Sequence, residues 1–297
     1  MKENSMELQK IGNSKLQVVI SPRAAEMQSI QDNSGTEYLW QGDPKYWNRR
    51  AYNIFPYIAR LTEGSYLYKG KRYNMSIHGF LPETQMDVEH ISENMVCYIL
   101  KSSDATLKDY PFPFELRISY TLQDNMIQVT YDVLNCGDER MFFGIGGHPG
   151  FCVPIEDGLS FDDYILEFAE KCSPVRIGFS ENVFLNGHDT EYALEDGRRI
   201  PLQHDLFDDD AIILKDVCRK ITLKSNKGTK SVTVSYPDMD YLGIWHRPKS
   251  DAPYVCIEPW TSLCSREGIV EDIEKQPDLV SLEPKKRYIN TWTIEIV

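Results

Sequence analysis

The sequence predicts an all-β chain, a large antiparallel β-sandwich with few short helices, and three observations carry that expectation. Apolar and polar residues alternate over long stretches, Gly, Pro, Asn and Asp recur between those stretches, and helical periodicity is scarce. The clearest alternation starts at Glu115, where Leu116, Ile118, Tyr120 and Leu122 fall on one face of an extended chain and Glu115, Arg117, Ser119 and Thr121 on the other.

Taken in order, the elements follow one pattern. Leu16 to Ile20 and Val96 to Lys101 are short strands; the run from Glu115 turns at Gln123-Asp124-Asn125 into a partner carrying Ile127, Val129, Tyr131 and Val133 on one face, which makes a hairpin. Tyr164 to Phe168 and Ser231 to Tyr236 follow. The chain closes on Trp292, Ile294 and Ile296, alternating with Thr291, Thr293 and Glu295. The best helical candidate lies around Ile269 to Ile273 and lacks a long apolar stripe. A polar stretch from about Gly187 to Asp210 reads as a long loop, the place where sites on β scaffolds usually sit. With no Pro/Ser-rich linker, low-complexity block or internal repeat, residues 1–297 are expected to form one domain, a length that β domains reach as a unit.

Composition removes several function classes. The net charge of -13 opposes a nucleic-acid partner, because that affinity comes from neutralising phosphates with a basic face, and it equally disfavours an anionic membrane surface. There is no apolar run long enough to span a bilayer, and Met1-Lys2-Glu3-Asn4-Ser5-Met6 lacks the apolar core of a signal peptide, so a cytoplasmic location is expected. The seven cysteines are odd in number and scattered, with no C-x-x-C pair, which points to reduced thiols. Gly144-Ile145-Gly146-Gly147-His148-Pro149 starts like a dinucleotide fingerprint but has Pro where the third Gly belongs, and no Walker, H-E-x-x-H or Gly-x-Ser-x-Gly motif occurs.

Three segments carry chemistry. His148 lies in Phe142-Phe143-Gly144-Ile145-Gly146-Gly147-His148-Pro149-Gly150-Phe151, where glycines and a proline crowd one imidazole. Ser76-Ile77-His78-Gly79-Phe80 offers a second imidazole, and Cys256-Ile257-Glu258-Pro259-Trp260 a carboxylate beside an indole. Two imidazoles and a carboxylate suffice for acid/base catalysis without a metal. They also make a credible zinc or iron set, so a metalloenzyme using His78, His148 and Glu258 is a competing reading. His90, His188, His204 and His246 are read as structural. Arg60 has an ion-pair partner within reach at Glu63, and Asp208-Asp209-Asp210 could be no more than a solvated turn.

The order of these motifs resembles the aldose 1-epimerase (galactose mutarotase) family, and more narrowly its LacX-like branch. Arg60-Leu61-Thr62-Glu63-Gly64-Ser65-Tyr66 with Lys69-Gly70-Lys71-Arg72-Tyr73, then Ile77-His78-Gly79, His148 and Glu258-Pro259, are similar to the family's landmarks, and the likeness runs from about Val18 to the final strand. The resemblance implies a galactose mutarotase-like supersandwich, a sugar substrate and no cofactor. It assigns Glu258 as base on O1 and His148 as acid at the ring oxygen, with His78, Arg60 and Asp209 binding the sugar and Trp260, with Phe80, stacking on its apolar face. Asp208 and Asp210 are rivals for Asp209. Pro-Gly-Phe after His148 and Gly-Phe after His78 depart from the galactose enzymes, so the sugar need not be galactose. Two alternatives stand beside an aldohexose mutarotase: a hexose-6-phosphate 1-epimerase drawing on Arg49, Arg50, Arg60, Lys71 and Arg72, and a non-catalytic sugar-binding protein. A monomer and a homodimer both fit the sequence.

Overall fold

The computed structural model describes residues 7–297, so Met1–Met6, read above as lacking an apolar leader, lie outside the described residues. Every strand pair is antiparallel. A nine-stranded sheet runs in the spatial order Arg199–Pro201, Tyr164–Phe168, Lys220–Ser225, Ser231–Ser235, Arg287–Ile296, Met126–Asn135, Phe114–Gln123, Met95–Lys101, Asp87–Ile91. A seven-stranded sheet runs Thr190–Glu191, Val175–Arg176, Ile212–Lys215, Tyr241–Trp245, Tyr254–Trp260, Gly146–Cys152, Ala51–Ile54. A three-stranded sheet, the hairpin of Ser65–Tyr68 with Lys71–Asn74, and the long-range pair of Met141–Phe143 with Val280–Leu282 complete the fold.

The two large sheets pack face to face through the residues that the alternation picks out. Leu116, Ile118, Tyr120 and Leu122 are buried, as are Ile127, Val129, Tyr131 and Val133 on the partner strand, while the residues between them are not. Asn53, on the edge strand of the seven-stranded sheet, ties the layers together: its Nδ2 donates to the Tyr120 hydroxyl at 2.8 Å, and its Oδ1 accepts from the Tyr131 hydroxyl at 2.8 Å. A buried amide is tolerated there because its polar atoms have partners. Outer faces are polar, with Thr130 beside Thr291 and Thr222 beside Thr233 across neighbouring strands.

Helix assignment is the main correction. The segment around Ile269 to Ile273 is not helical, because its backbone bonds sideways to the Ser65–Tyr68 strand: Leu67 N–H donates to the Glu271 carbonyl at 2.7 Å and Ile273 N–H to the Leu67 carbonyl at 2.9 Å. The α-helix found among the described residues is Asp104–Asp109, started by Ser103, whose side chain and that of Thr106 form a reciprocal capping box. The Gly187 to Asp210 stretch is more ordered than a loop, holding the short strands Thr190–Glu191 and Arg199–Pro201 and a 3-10 turn, His204–Phe207. Among the described residues, no helix is long and apolar enough to cross a membrane.

Candidate active site

The central strands of the seven-stranded sheet assemble the site. Registers Gly146↔Trp260 and Gly150↔Cys256 set His148 across from Glu258, and Glu258 lies opposite Gly243 on its other side. His148 in turn pairs with Tyr52. Along Tyr254–Trp260 the side chains alternate, so Val255 and Ile257 enter the main core while Tyr254, Cys256, Glu258 and Trp260 share the opposite face. The glycines before His148 serve close approach in a strand, not a turn: a Cβ on Gly147 would lie 2.7 Å from the Trp292 ring, and one on Gly146 2.7 Å from Trp260.

Above this face opens a cleft of about 620 Å³ whose lining includes Arg60, His78, His148, Asp210, Glu258 and Trp260. Its size is that of a small-molecule site. His148 Nε2 stands 3.2 Å from Glu258 Oε2, close but not aligned as a hydrogen bond. Both side chains are almost wholly buried, and His148 Nδ1, Glu258 Oε2 and Trp260 Nε1 have no protein partner. Trp47 stacks on the His148 ring at 4.9 Å, Tyr52 lies 4.8 Å away, and Trp245 meets the ring edge-on at 5.7 Å. Burial in this aromatic box holds the His148 pKa well below the ordinary histidine value, helped by the nearby His78 and Arg49. Burial likewise raises the Glu258 carboxyl well above the carboxylate range, and the charge of Asp210 adds to the effect.

His78 has a left-handed backbone, φ 64°, which non-glycine residues rarely adopt. Two bonds to Ala59 hold it: His78 N–H donates to the Ala59 carbonyl at 2.9 Å, and Ala59 N–H donates to His78 Nδ1 at 3.3 Å. With Nδ1 accepting, the ring hydrogen sits on Nε2. Burial, then the charge of Arg60, push the His78 pKa down to about 3, so the ring is a neutral donor. Gly79, φ 78°, follows because a Cβ there would meet the Phe55 carbonyl oxygen at 2.1 Å.

The cleft therefore gathers five of the six sequence-predicted residues. Asp209 is the exception: it is exposed and does not line the cleft, whereas Asp210 does. Three consecutive aspartates cannot all face one way in a turn, and sequence alone does not say which does. Phe80 packs in the core against Phe55 and Phe114 instead of lining the cleft. Arg60 is free of Glu63, whose carboxylate pairs with Arg72. Of the five cations named for a phosphate pocket, only Arg60 lines the cleft; Arg49 pairs with Glu26 and Glu83, Arg50 bonds Gln41, and Lys71 lies over Tyr73. His204 and His246 hydrogen-bond each other at 3.1 Å outside the cleft. For the metal reading, the ligand atoms that come within 4.8 Å of one another are those of His148, Cys256 and Glu258, with Cys256 in the place given to His78. Cys256, buried beneath the cleft and not in its lining, carried a signal in the sequence, lying two residues before Glu258 in a strand; Trp47, Trp245 and Arg247, which do line the cleft, carried none.

Fold and site together define a carbohydrate-handling β-sandwich of the epimerase class. The aldose 1-epimerase family model matches residues 7–271, and the chain belongs to that family. It is 33% identical over 287 residues to the plasmid-borne protein LacX of Lactococcus lactis subsp. lactis, covering 93% of this chain and 95% of the relative. A galactose mutarotase related enzyme from Lactobacillus acidophilus superposes with a TM-score of 0.93 at 33% identity, covering 98% of this chain and 97% of that one. A galactose mutarotase-like protein from Lactobacillus casei gives 0.91 at 32% identity, covering 98% and 100%. The LacX-like branch is thus the chain's place within the family.

Proposed function

We propose that the chain interconverts the α and β anomers of an aldohexose by acid/base ring opening and closure. The observation that carries this is the buried His148–Glu258 pair, 3.2 Å apart on the cleft face. The hemiacetal's two oxygens sit on one carbon, so a base and an acid this close reach one oxygen each. Glu258 takes the proton of the C1 hydroxyl as the bond from C1 to the ring oxygen breaks, and His148 delivers a proton to that oxygen, leaving an aldehyde and a free hydroxyl. Rotation about C1–C2 presents the other face. The roles then exchange on closure, and both protons return.

Burial acts in both directions: it makes the charged pair costly to form and its discharge into the sugar favourable. A carboxylate and an imidazolium are both disfavoured in this surround, and transfer to the sugar turns them into a neutral acid and a neutral ring. The neutral His78 Nε2–H and the Arg60 guanidinium donate to sugar oxygens, Asp210 accepts from a hydroxyl, and the Trp260 ring covers apolar C–H groups. Four of the five cations that the sequence offered for a phosphate are engaged or placed elsewhere, which favours an unphosphorylated hexose; Arg247 joins Arg60 in the cleft lining, and the phosphate arm of the test reads its contribution. Exchange NMR on a panel of hexoses, with and without 6-phosphate, tests the proposal. Accelerated anomer exchange of at least one free hexose is expected; binding without acceleration would leave a sugar-binding protein.

A further inference from the structure

The geometry points to a second occupant of the same face: a single soft divalent cation of the zinc type, held by Cys256, His148 and Glu258. Cys256 and Glu258 are two residues apart in one strand, so both project from the same face of the sheet, Glu258 into the cleft and Cys256 into the buried cluster against which Trp47 and Trp245 pack, and His148 stands across from Glu258 in the neighbouring strand. One ligand atom from each lies within 4.8 Å of the other two. Zinc binds thiolate at about 2.3 Å and imidazole or carboxylate at about 2.0 Å, which puts ligands on one tetrahedral ion roughly 3–4 Å apart, within small side-chain rotations of this arrangement.

Two further features suit a cation. Glu258 Oε2, which His148 Nε2 faces at 3.2 Å, is a buried polar atom with no hydrogen-bond partner in the protein. Such atoms are costly to leave unpaired. Charge also closes: one thiolate, one carboxylate, a neutral imidazole and a divalent ion sum to zero, the state that a buried site favours. Gly150 faces Cys256 across the strands and makes room over the thiol, since a Cβ there would lie 3.4 Å from Sγ and 3.1 Å from the Trp47 ring. Three protein ligands leave the fourth position to water or substrate on the open cleft side.

The ion would hold the lone pairs of Glu258 and His148 on which proton transfer depends, so zinc acts as an inhibitor at this site, not as a catalytic metal. Cys256 has no part in the proposed proton transfers, and its thiol is what distinguishes metal binding from them.

Cobalt(II) reports thiolate ligation directly and needs no turnover. Titrating the full-length protein with Co²⁺ is expected to give one equivalent of binding with a sulfur-to-metal charge-transfer band, displaced by Zn²⁺ and lost in Cys256→Ala and Cys256→Ser. Near-ultraviolet circular dichroism checks that both variants keep their aromatic packing. Loss of a group that merely supports a metal ligand weakens binding about 10- to 100-fold, so removal of the thiol should desensitise anomer exchange to zinc by at least about tenfold relative to each variant's own rate. Absence of the band, or its survival in both folded variants, overturns the metal site whatever the enzyme's activity. A band without any anomer exchange would keep the metal site and fail the mutarotase reading instead.

Discussion

Glu258→Gln separates proton transfer from every other contribution of this residue. The amide keeps the shape of the carboxyl, so the Trp47 and Trp245 packing around His148 is undisturbed, but it cannot accept the proton of the C1 hydroxyl. Positioned general base catalysis contributes about 10²- to 10⁴-fold, equivalent to about 3–5 kcal/mol of barrier. The turnover number in exchange NMR should fall by that factor, with little change in the sugar concentration that saturates it. Stability should move the other way. Because burial raises the Glu258 pKa in the folded state above its unfolded value, its contribution to stability is present at low pH and is lost as pH rises from the unfolded carboxylate value through the folded one. At pH 8 the parent bears that cost and the glutamine variant does not, so the variant should melt at the same temperature or higher. Turnover within about tenfold of the parent would refute the assignment of Glu258 as base. A lower melting point would refute the account of its burial.

Three further expectations share the same assays. Activity against pH should trace a bell whose limbs belong to the coupled pair, since the working state carries one proton on His148 and Glu258 together; the groups facing the pair are His78, Arg49 and Asp210, and Asp210→Asn, by removing a negative charge, should lower the Glu258 pKa and move the alkaline limb to lower pH, whereas Asp209→Asn should leave it in place. Arg60→Ala should raise KM with a smaller effect on kcat, because a guanidinium that binds sugar hydroxyls acts in ground and transition states alike. Gly147→Ala should destabilise by about 1–3 kcal/mol in chemical denaturation, the usual result of overpacking, as its Cβ would sit 2.7 Å from the Trp292 ring.

The sheets were legible because period-two burial is written directly into residues such as Leu116 to Leu122 and Ile127 to Val133, and the same rule applies at every strand that has one buried and one wet face. It fails for strands buried on both sides: Gly146–Cys152 and Tyr254–Trp260 show no alternation in exposure, and their site residues were found from motif and resemblance instead. Short elements also escaped. The Asp104–Asp109 helix has no buried residue from which a stripe could be read, and its signal is only the Ser103–Thr106 cap. Among Asp208, Asp209 and Asp210 the sequence left the choice open; the structure puts Asp210, which has a left-handed φ of 77°, in the cleft lining, and three identical neighbours carry no spacing that would single it out.

His148 and Glu258 share a feature whose consequence becomes plain only in the sheet: each is followed by proline. Proline brings no N–H to a ladder and is normally excluded from central strands. Here Pro149 and Pro259 sit in adjacent central strands, and the pairing between those strands lapses between Gly146↔Trp260 and Gly150↔Cys256. Each strand keeps its other neighbour, Ala51–Ile54 on one side and Tyr241–Trp245 on the other. The sheet is therefore held together around a local gap in hydrogen bonding, and His148 and Glu258 stand on either side of that gap. A regular ladder would fix the spacing of the two strands there by backbone bonds. With those bonds missing, the aromatic packing of Trp47, Tyr52 and Trp245 against the imidazole is what holds His148 on its side of the gap. The two prolines thus act on the site through the backbone, and the motif glycines and aromatic rings complete what they begin.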